Sequence, residues 1–175
     1  RCNGSMYWQL NDCWGVCSWS SIDYYGNYKA LQYGARHFNA PVSVSIENTE
    51  EYIKLFVLND LKEKQDVTVT YDIFDFVSGT KQSDKKDVSI DAVKNELVFE
   101  LDVKSLAKAY DLKRTGVAVK LFKDGELLQQ KTVLFDKEKK LDLPKAKLKT
   151  RIEIKEDRLD ITVKSDAYAR LVKLE

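Results

Sequence analysis

Apolar and polar residues alternate through most of the chain after Pro41, and this period of two constrains the fold more than any other feature. Side chains of a β-strand point alternately to opposite faces, so each alternating run predicts a strand with one buried face. Seven such runs at short intervals predict an immunoglobulin-like β-sandwich over residues 41–140. The runs lie at 42–46, 53–57, 67–73, 88–90, 97–101, 117–121 and 128–135.

Local irregularities refine this prediction. The alternation changes phase at Phe74 and Phe76, which indicates a β-bulge. Asp124-Gly125 supplies the two residues with positive φ that a tight hairpin needs. Residues 105–110 have a helical pattern long enough for a single turn. The cysteine and tryptophan core signature of antibody domains does not occur here, so the sandwich is inferred from the strand pattern.

Residues 141–175 predict the beginning of a second β-domain. Residues 141–144 (Leu-Asp-Leu-Pro) suit a linker. The segments 149–156, 159–164 and 169–174 then alternate as three further strands. Three strands leave an unpaired edge, which we expect to seek a partner or to fray.

The first forty residues have a different composition. They carry few charges but contain all three tryptophans and five of the nine tyrosines. Residues 5–10 predict a short buried strand, and a loop follows. Tyr28, Leu31, Ala35 and Phe38 then mark one face of a helix that Asn27 caps and Asn39-Ala40-Pro41 ends. This strand, loop and helix form one α/β unit that cannot bury its apolar surface alone.

Charge, apolar content and cysteine spacing exclude several classes of protein. A formal charge of +1 and a pI near 7.8 give no nucleic-acid surface. No run approaches the roughly 20 apolar residues of a membrane span, and no leader opens the chain. Three cysteines (Cys2, Cys13 and Cys17) and one distant His37 predict reduced structural thiols and a structural histidine, with no metal site and no cofactor. Because the chain starts at Arg1, we expect it to be part of a longer protein.

Two stretches of the first region resemble a known family. YWQLNDCW (residues 7–14) and SWSSIDYYGNYKALQYGARHFNAPV (residues 18–42) are similar to the end of the catalytic (β/α)8 barrel of β-mannosidases, which are family-2 glycoside hydrolases. Gly15-Val16 and Asn27 depart from the usual pattern. The resemblance implies that residues 1–40 are the last strand, loop and helix of that barrel. Residues 41–140 are then the sandwich behind it, and 141–175 a linker with the first strands of another sandwich.

The resemblance also implies an activity for the parent protein. It would be a retaining exo-β-mannosidase that hydrolyses terminal β-mannose from glycans, and its partners here would be the β-mannoside and the rest of the barrel. Retention needs two carboxyl groups about 5–5.5 Å apart. In the family both are glutamates from earlier strands, and residues 1–40 contain no glutamate. The chain itself is therefore predicted to be a non-catalytic scaffold.

Four residues are candidates for contact with the sugar. Catalytic sites of such barrels lie at the carboxyl ends of the strands. By resemblance Trp8 forms a wall of the terminal mannose subsite, because a flat indole suits the C–H face of a pyranose; its alternative role is that of a core tryptophan of the barrel. Asn11, Asp12 and Trp14 follow in the loop, where their alternative role is to hold the loop itself. Trp19 is expected to pack beneath this loop, and Tyr24, Tyr25, Tyr28 and Tyr33 to pack the helix against the barrel and the sandwich.

Two other functions are compatible with the sequence. The sandwich could be a carbohydrate-binding or domain-docking module in its own right. The parent could also be a family-2 hydrolase acting on another β-glycoside, such as a galactoside or a glucuronide.

Overall fold

The computed structural model describes residues 6–172, which form a mainly β protein with an immunoglobulin-like sandwich at its centre. One helix precedes the sandwich, and a short helix lies between its fifth and sixth strands. The elements are α1 (Ala30–Phe38), β1 (Val42–Asn48), β2 (Tyr52–Asn59), β3 (Gln65–Asp75), β4 (Gly79–Ile90), β5 (Lys94–Asp102), α2 (Val103–Ala109), β6 (Thr115–Lys123), β7 (Glu126–Leu134), a 3₁₀ turn (Glu138–Lys140), β8 (Leu148–Ile154) and β9 (Leu159–Ser165). No helix in this described part is long and apolar enough to cross a bilayer.

The predicted sandwich is confirmed, with all seven strands in antiparallel pairs. One sheet has the order β1-β2-β5 and the other β4-β3-β6-β7. Their inner faces carry the alternating apolar residues, so that Ile53, Leu55, Ile73, Val117 and Leu121 have no exposed surface. Burial of such a side chain contributes about 1.5–3 kcal/mol. The sandwich core therefore provides most of the apolar burial in the described part of the chain.

Bulges decide which residues of two strands point inward. The register shifts between Ile73 and Phe74, as the phase change in the sequence predicted. A second shift inserts Val98 opposite the Leu55–Phe56 step, and Val98 is buried while Leu97 is exposed. Simple alternation had grouped Leu97 with the buried face, and the extra residue of the bulge corrects that. Asp124 and Gly125 both have positive φ, of 51° and 83°, as the hairpin required.

The region after the sandwich differs in part from the prediction. β8 and β9 form a two-stranded ribbon, but residues 169–172 form no third strand. The chain is held there by a backbone bond, in which the Tyr168 amide donates to the Phe76 carbonyl at 2.8 Å. The Tyr168 ring also stacks on the buried Phe76 ring, at 5.3 Å between centroids. A segment bonded to the end of the sandwich is not free to pair with the ribbon, and residues 173–174 of the predicted strand lie outside the described residues.

The first region, residues 6–40, differs more from the prediction than the region after the sandwich does. Residues 6–10 form no strand, and Trp8 is 74% exposed, so the predicted buried strand is wrong in this structure. These residues have one hydrogen-bonded neighbour, residues 20–22, whereas a buried strand needs cover on both sides. Trp19 is 72% exposed, so its predicted packing beneath the loop is wrong in this structure. Tyr24, Tyr25, Tyr28 and Tyr33 are also exposed, and their packing against the barrel stays a prediction. Asn27 does not cap α1, which begins after Lys29 without a side-chain cap.

Candidate functional site

The first region is organised by two parallel backbone segments. Residues 9–12 lie beside residues 20–22, and the Ile22 amide donates to the Leu10 carbonyl at 2.9 Å. The Asp12 amide in turn donates to the Ile22 carbonyl at 3.1 Å. The peptide bond between Trp8 and Gln9 is cis. Residues 13–19, here called the tryptophan loop, connect the two segments and carry Trp14 and Trp19.

An ion pair between the buried Asp12 and the half-buried Lys29 lies at the base of the tryptophan loop. Asp12 is 3% exposed, and one carboxylate oxygen accepts from the Lys29 ammonium at 2.8 Å while the other accepts from the Ser18 hydroxyl at 2.5 Å. Lys29 also donates to the Ser20 hydroxyl at 2.8 Å and to the Ser18 carbonyl at 3.2 Å. Every donor of the ammonium has a partner, so this network fixes both ends of the loop to the residue that precedes α1.

These bonds stabilise the carboxylate of Asp12. The hydrogen bond from Lys29, followed by the one from Ser18, lowers the pKa of Asp12 from 3.8 to about 2. A folded-state pKa below the unfolded value means that the stabilisation is present above about pH 4. It is lost as the pH falls from about 4 to about 2.

Replacing Lys29 by methionine should raise the pKa of Asp12 from about 2 toward its ordinary value of 3.8, because the principal hydrogen bond is lost while the one from Ser18 remains. The carboxyl ¹³C shift of Asp12, followed by NMR between pH 1.5 and 6, measures this. Asp75 is an internal control: backbone amides of Ser78 and Val77 lower its pKa to about 2. Its midpoint should not move in the variant. An unchanged Asp12 midpoint would contradict the ion-pair account.

A second carboxylate orders the segment before α1. Asp23 accepts from the amides of Tyr25 at 2.9 Å and Asn27 at 2.8 Å, and from the Asn27 side chain at 2.9 Å. The side-chain bond from Asn27 is the main cause that lowers the pKa of Asp23. The Tyr25 amide thus closes an Asx turn at Asp23, and Asn27 binds Asp23 instead of capping the helix.

The four predicted site residues lie on this scaffold with different exposure. Trp8 is 74% and Trp14 65% exposed, and Asn11 is exposed with its amide bonded to the Asp12 carbonyl at 3.3 Å. Asp12 faces inward, and both its oxygens are engaged by Lys29 and Ser18. The roles of all four toward a sugar remain predictions. Sequence reasoning missed Lys29, Ser18 and Ser20; the rarity of charge in residues 1–40 was the available signal that Asp12 and Lys29 pair.

Cys13, Cys17 and His37 do not come together in one site. Cys13 and Cys17 are free and exposed, and Cys2 lies outside the described residues. Within residues 6–172 no three His, Cys, Asp or Glu side chains are grouped to hold a metal ion. The side chain of His37 is exposed, and its structural role is carried by its backbone carbonyl.

One buried side chain joins the first region to the sandwich. Gln129 of β7 is 3% exposed; its amide nitrogen donates to the His37 carbonyl at 2.9 Å, and its oxygen accepts from the Val44 amide at 2.8 Å. The neighbouring Lys131 donates to the Val44 carbonyl at 2.5 Å. Burial lowers the pKa of Lys131. These side chains connect α1, β1 and β7, which belong to three different layers.

The surface of the sandwich offers a shallow polar groove rather than an aromatic platform. Where β3 meets β4, Thr68 donates to Asp87 at 2.5 Å, and Ser89 donates to Asp66. Asp66, Asp87 and Ser89 line the groove. One carboxylate oxygen of each aspartate accepts from a neighbouring hydroxyl, and the aromatic side chain in the groove lining is the half-buried Phe122.

The chain is similar to known β-mannosidases over parts of its length. Residues 51–140 match the family described as Mannosidase Ig/CBM-like domain. The chain is 59% identical over 39 residues to the β-mannosidase of Bos taurus, covering 22% of this chain and 4% of that protein. It is 42% identical over 77 residues to β-mannosidase A of Aspergillus terreus, covering 44% and 7%.

Solved structures extend the similarity to most of the chain. The β-D-mannosidase from Dictyoglomus thermophilum matches with a TM-score of 0.78 and 29% identity, covering 91% of this chain and 20% of that one. An exo-chitosanase from Amycolatopsis orientalis matches with a TM-score of 0.63 and 15% identity, over 95% and 23%. The latter shows a shared fold only. The chain therefore spans about a fifth of the length of the solved β-mannosidase.

Proposed function

The chain belongs to the mannosidase Ig/CBM-like domain family, and on that premise we propose that it is the carboxy-terminal part of a retaining exo-β-mannosidase of glycoside hydrolase family 2. The parent protein hydrolyses terminal β-mannose from glycans. The observation that carries the proposal is the match to the Dictyoglomus β-mannosidase, which covers 91% of the chain and therefore includes more than the sandwich.

In this proposal the chain supplies no catalytic group. Hydrolysis with retention needs one carboxylic acid that can give up a proton near neutral pH and one carboxylate nucleophile. The two carboxyl groups of residues 1–40 are Asp12 and Asp23, and the pKa of each is lowered by internal hydrogen bonds. Each is held as an anion whose oxygens are already occupied. The catalytic pair comes from the preceding barrel.

The contribution of the chain to the sugar site is aromatic. Trp8 forms a wall of the terminal mannose subsite, against which the apolar face of the sugar ring packs. Asn11 and Trp14 contact the substrate from the tryptophan loop. Asp12 acts through that loop, since its oxygens bind Lys29 and Ser18. The exposure of Trp8 and Trp14, at 74% and 65%, supports this assignment because large exposed aromatics mark interaction surfaces.

A protein that carries this chain behind its own upstream barrel is expected to hydrolyse p-nitrophenyl β-mannoside, with β-galactoside and β-glucuronide substrates at least a hundredfold poorer in kcat/KM. The chain alone is expected to show no turnover, because it lacks the catalytic pair. Release of nitrophenol measures both proteins in parallel. Turnover by the chain alone, or preference of the longer protein for another glycoside, would contradict the proposal.

The family description also favours a second function, in which the sandwich binds carbohydrate itself. The groove between β3 and β4 argues against it, because its lining offers no exposed aromatic ring on which a sugar could stack. Calorimetry of the chain with manno-oligosaccharides distinguishes the two. Measurable heat of binding that survives Trp8→Ala would favour the module.

A further inference from the structure

Two thiols lie at the neck of the tryptophan loop. Cys13 follows Asp12 directly, and Cys17 directly precedes Ser18. Both cysteines are free and exposed. Only Trp14, Gly15 and Val16 separate them, so the two exposed thiols stand at the two ends of a five-residue segment.

The hydrogen bonds beneath the loop hold its two ends together. The Ser18 hydroxyl donates to the Asp12 carboxylate at 2.5 Å, and Lys29 bonds both residues. The backbone from Asp12 to Ser18 therefore forms a loop whose two ends are held close together. Cys13 and Cys17 are the first and last residues inside that loop. A disulfide needs Cα atoms roughly 4.4–6.8 Å apart. Pinned ends reduce the conformational entropy that closing such a ring would cost.

The rest of the loop can accommodate the closure. Val16 and Trp14 are 46% and 65% exposed, so neither is fixed in a core. Gly15 lies near the exposed Tyr25 ring. A Cβ added at Gly15 would be 3.4 Å from the Tyr25 hydroxyl, which is an ordinary contact distance. The loop therefore has room to adjust without displacing buried side chains.

We propose that Cys13 and Cys17 form a reversible disulfide that closes the tryptophan loop. With glutathione disulfide as oxidant, the thiolate of one cysteine attacks a sulfur of the oxidant and releases one glutathione thiolate. The second cysteine then loses its proton and attacks the mixed disulfide, releasing the second glutathione. Two cysteine thiols are oxidised and one glutathione disulfide is reduced. The inference does not depend on the proposed function.

The test uses the chain with Cys2→Ser, which leaves Cys13 and Cys17 as its two cysteines. After equilibration with glutathione disulfide and reduced glutathione at about −200 mV, iodoacetamide blocks the remaining thiols and the intact mass is measured. The expected product has lost two hydrogens and carries neither carbamidomethyl groups nor glutathione. Dithiothreitol should restore two blockable thiols. Circular dichroism checks that the variant keeps its β content.

Single-cysteine variants provide the matched controls. In the same background, Cys13→Ser and Cys17→Ser each leave one thiol, which should end as a mixed disulfide with glutathione. Three results would overturn the proposal: two glutathione adducts on the Cys2→Ser chain, two carbamidomethyl groups on it, or a disulfide-linked dimer in place of the internal bond.

Discussion

Replacing Trp8 by alanine in the protein that includes the upstream barrel is expected to lower kcat/KM for p-nitrophenyl β-mannoside about a hundredfold. That factor corresponds to about 2.7 kcal/mol of lost transition-state stabilisation. The reason is that a sugar ring packed on an indole buries apolar surface and is positioned by it, and small misplacement at the reacting centre is costly. Initial rates over a range of substrate concentrations measure the effect.

Trp8→Phe is the matched variant for this experiment. It keeps a flat apolar face and should retain most of the activity, with a loss of less than tenfold. Trp8 is 74% exposed in the chain, so neither substitution should change the unfolding of the isolated chain by more than about 0.5 kcal/mol. Full activity of Trp8→Ala would remove Trp8 from the site, and equal losses in both variants would show that a flat ring is not what matters.

Replacing Gln129 by leucine should destabilise the chain by about 1–3 kcal/mol. Gln129 accepts from the Val44 amide and donates to the His37 carbonyl, and leucine can do neither. The His37 carbonyl keeps the Ala40 amide as a donor, but the buried Val44 amide loses its partner, and an unsatisfied buried backbone group costs about 1–3 kcal/mol. Urea unfolding followed by circular dichroism measures the loss, and exchange of the Val44 amide should accelerate in parallel.

Gln130→Leu is the control for this prediction. Gln130 is the next residue of β7, but its side chain is exposed, so its replacement should change the free energy of unfolding by less than about 0.5 kcal/mol. Equal stability of the two variants would mean that Gln129 does not connect α1 to the sandwich.

The sandwich could be predicted from the sequence because its strands carry their own partners. Each inner face meets another inner face of the same chain, so the period of two translates directly into burial at Leu55, Ile73 and Val119. The β-bulges limited how well the buried residues of each strand could be predicted from the alternation. The one at Phe74 changes the visible pattern, whereas the one at Val98 is set by pairing with β2 and leaves the local alternation intact.

The first region could not be predicted in the same way. Its composition suggested a buried strand at residues 5–10 and buried aromatic side chains, yet Met6, Trp8 and Trp19 are exposed. The sequence pattern shows which residues are apolar. It does not show whether the residues that pack against them belong to the same chain. The parallel pairing of residues 9–12 with residues 20–22 is the part of the expected unit that local hydrogen bonds can form.

The candidate site also has a part that the sequence predicts and a part that it does not. Trp8, Asn11, Asp12 and Trp14 stand out because they follow one another in a recognisable motif. The side chains that hold this motif are distant in sequence: Lys29 reaches Asp12 across 17 residues, and Gln129 reaches His37 across 92. Such contacts depend on tertiary structure and have no local pattern.

The central claim is that residues 6–40 are the last strand, loop and helix of a barrel. One face of this unit should then be buried against the upstream part of the barrel. Hydroxyl-radical footprinting with mass spectrometry tests it directly, by comparing the chain alone with the protein that includes the upstream barrel. Trp19, which is 72% exposed, and Tyr33, which is 53% exposed, should be labelled readily in the chain and several-fold less in the longer protein. Tyr52 of the sandwich should react equally in both. Equal labelling of Trp19 and Tyr33 in the two proteins would contradict the claim.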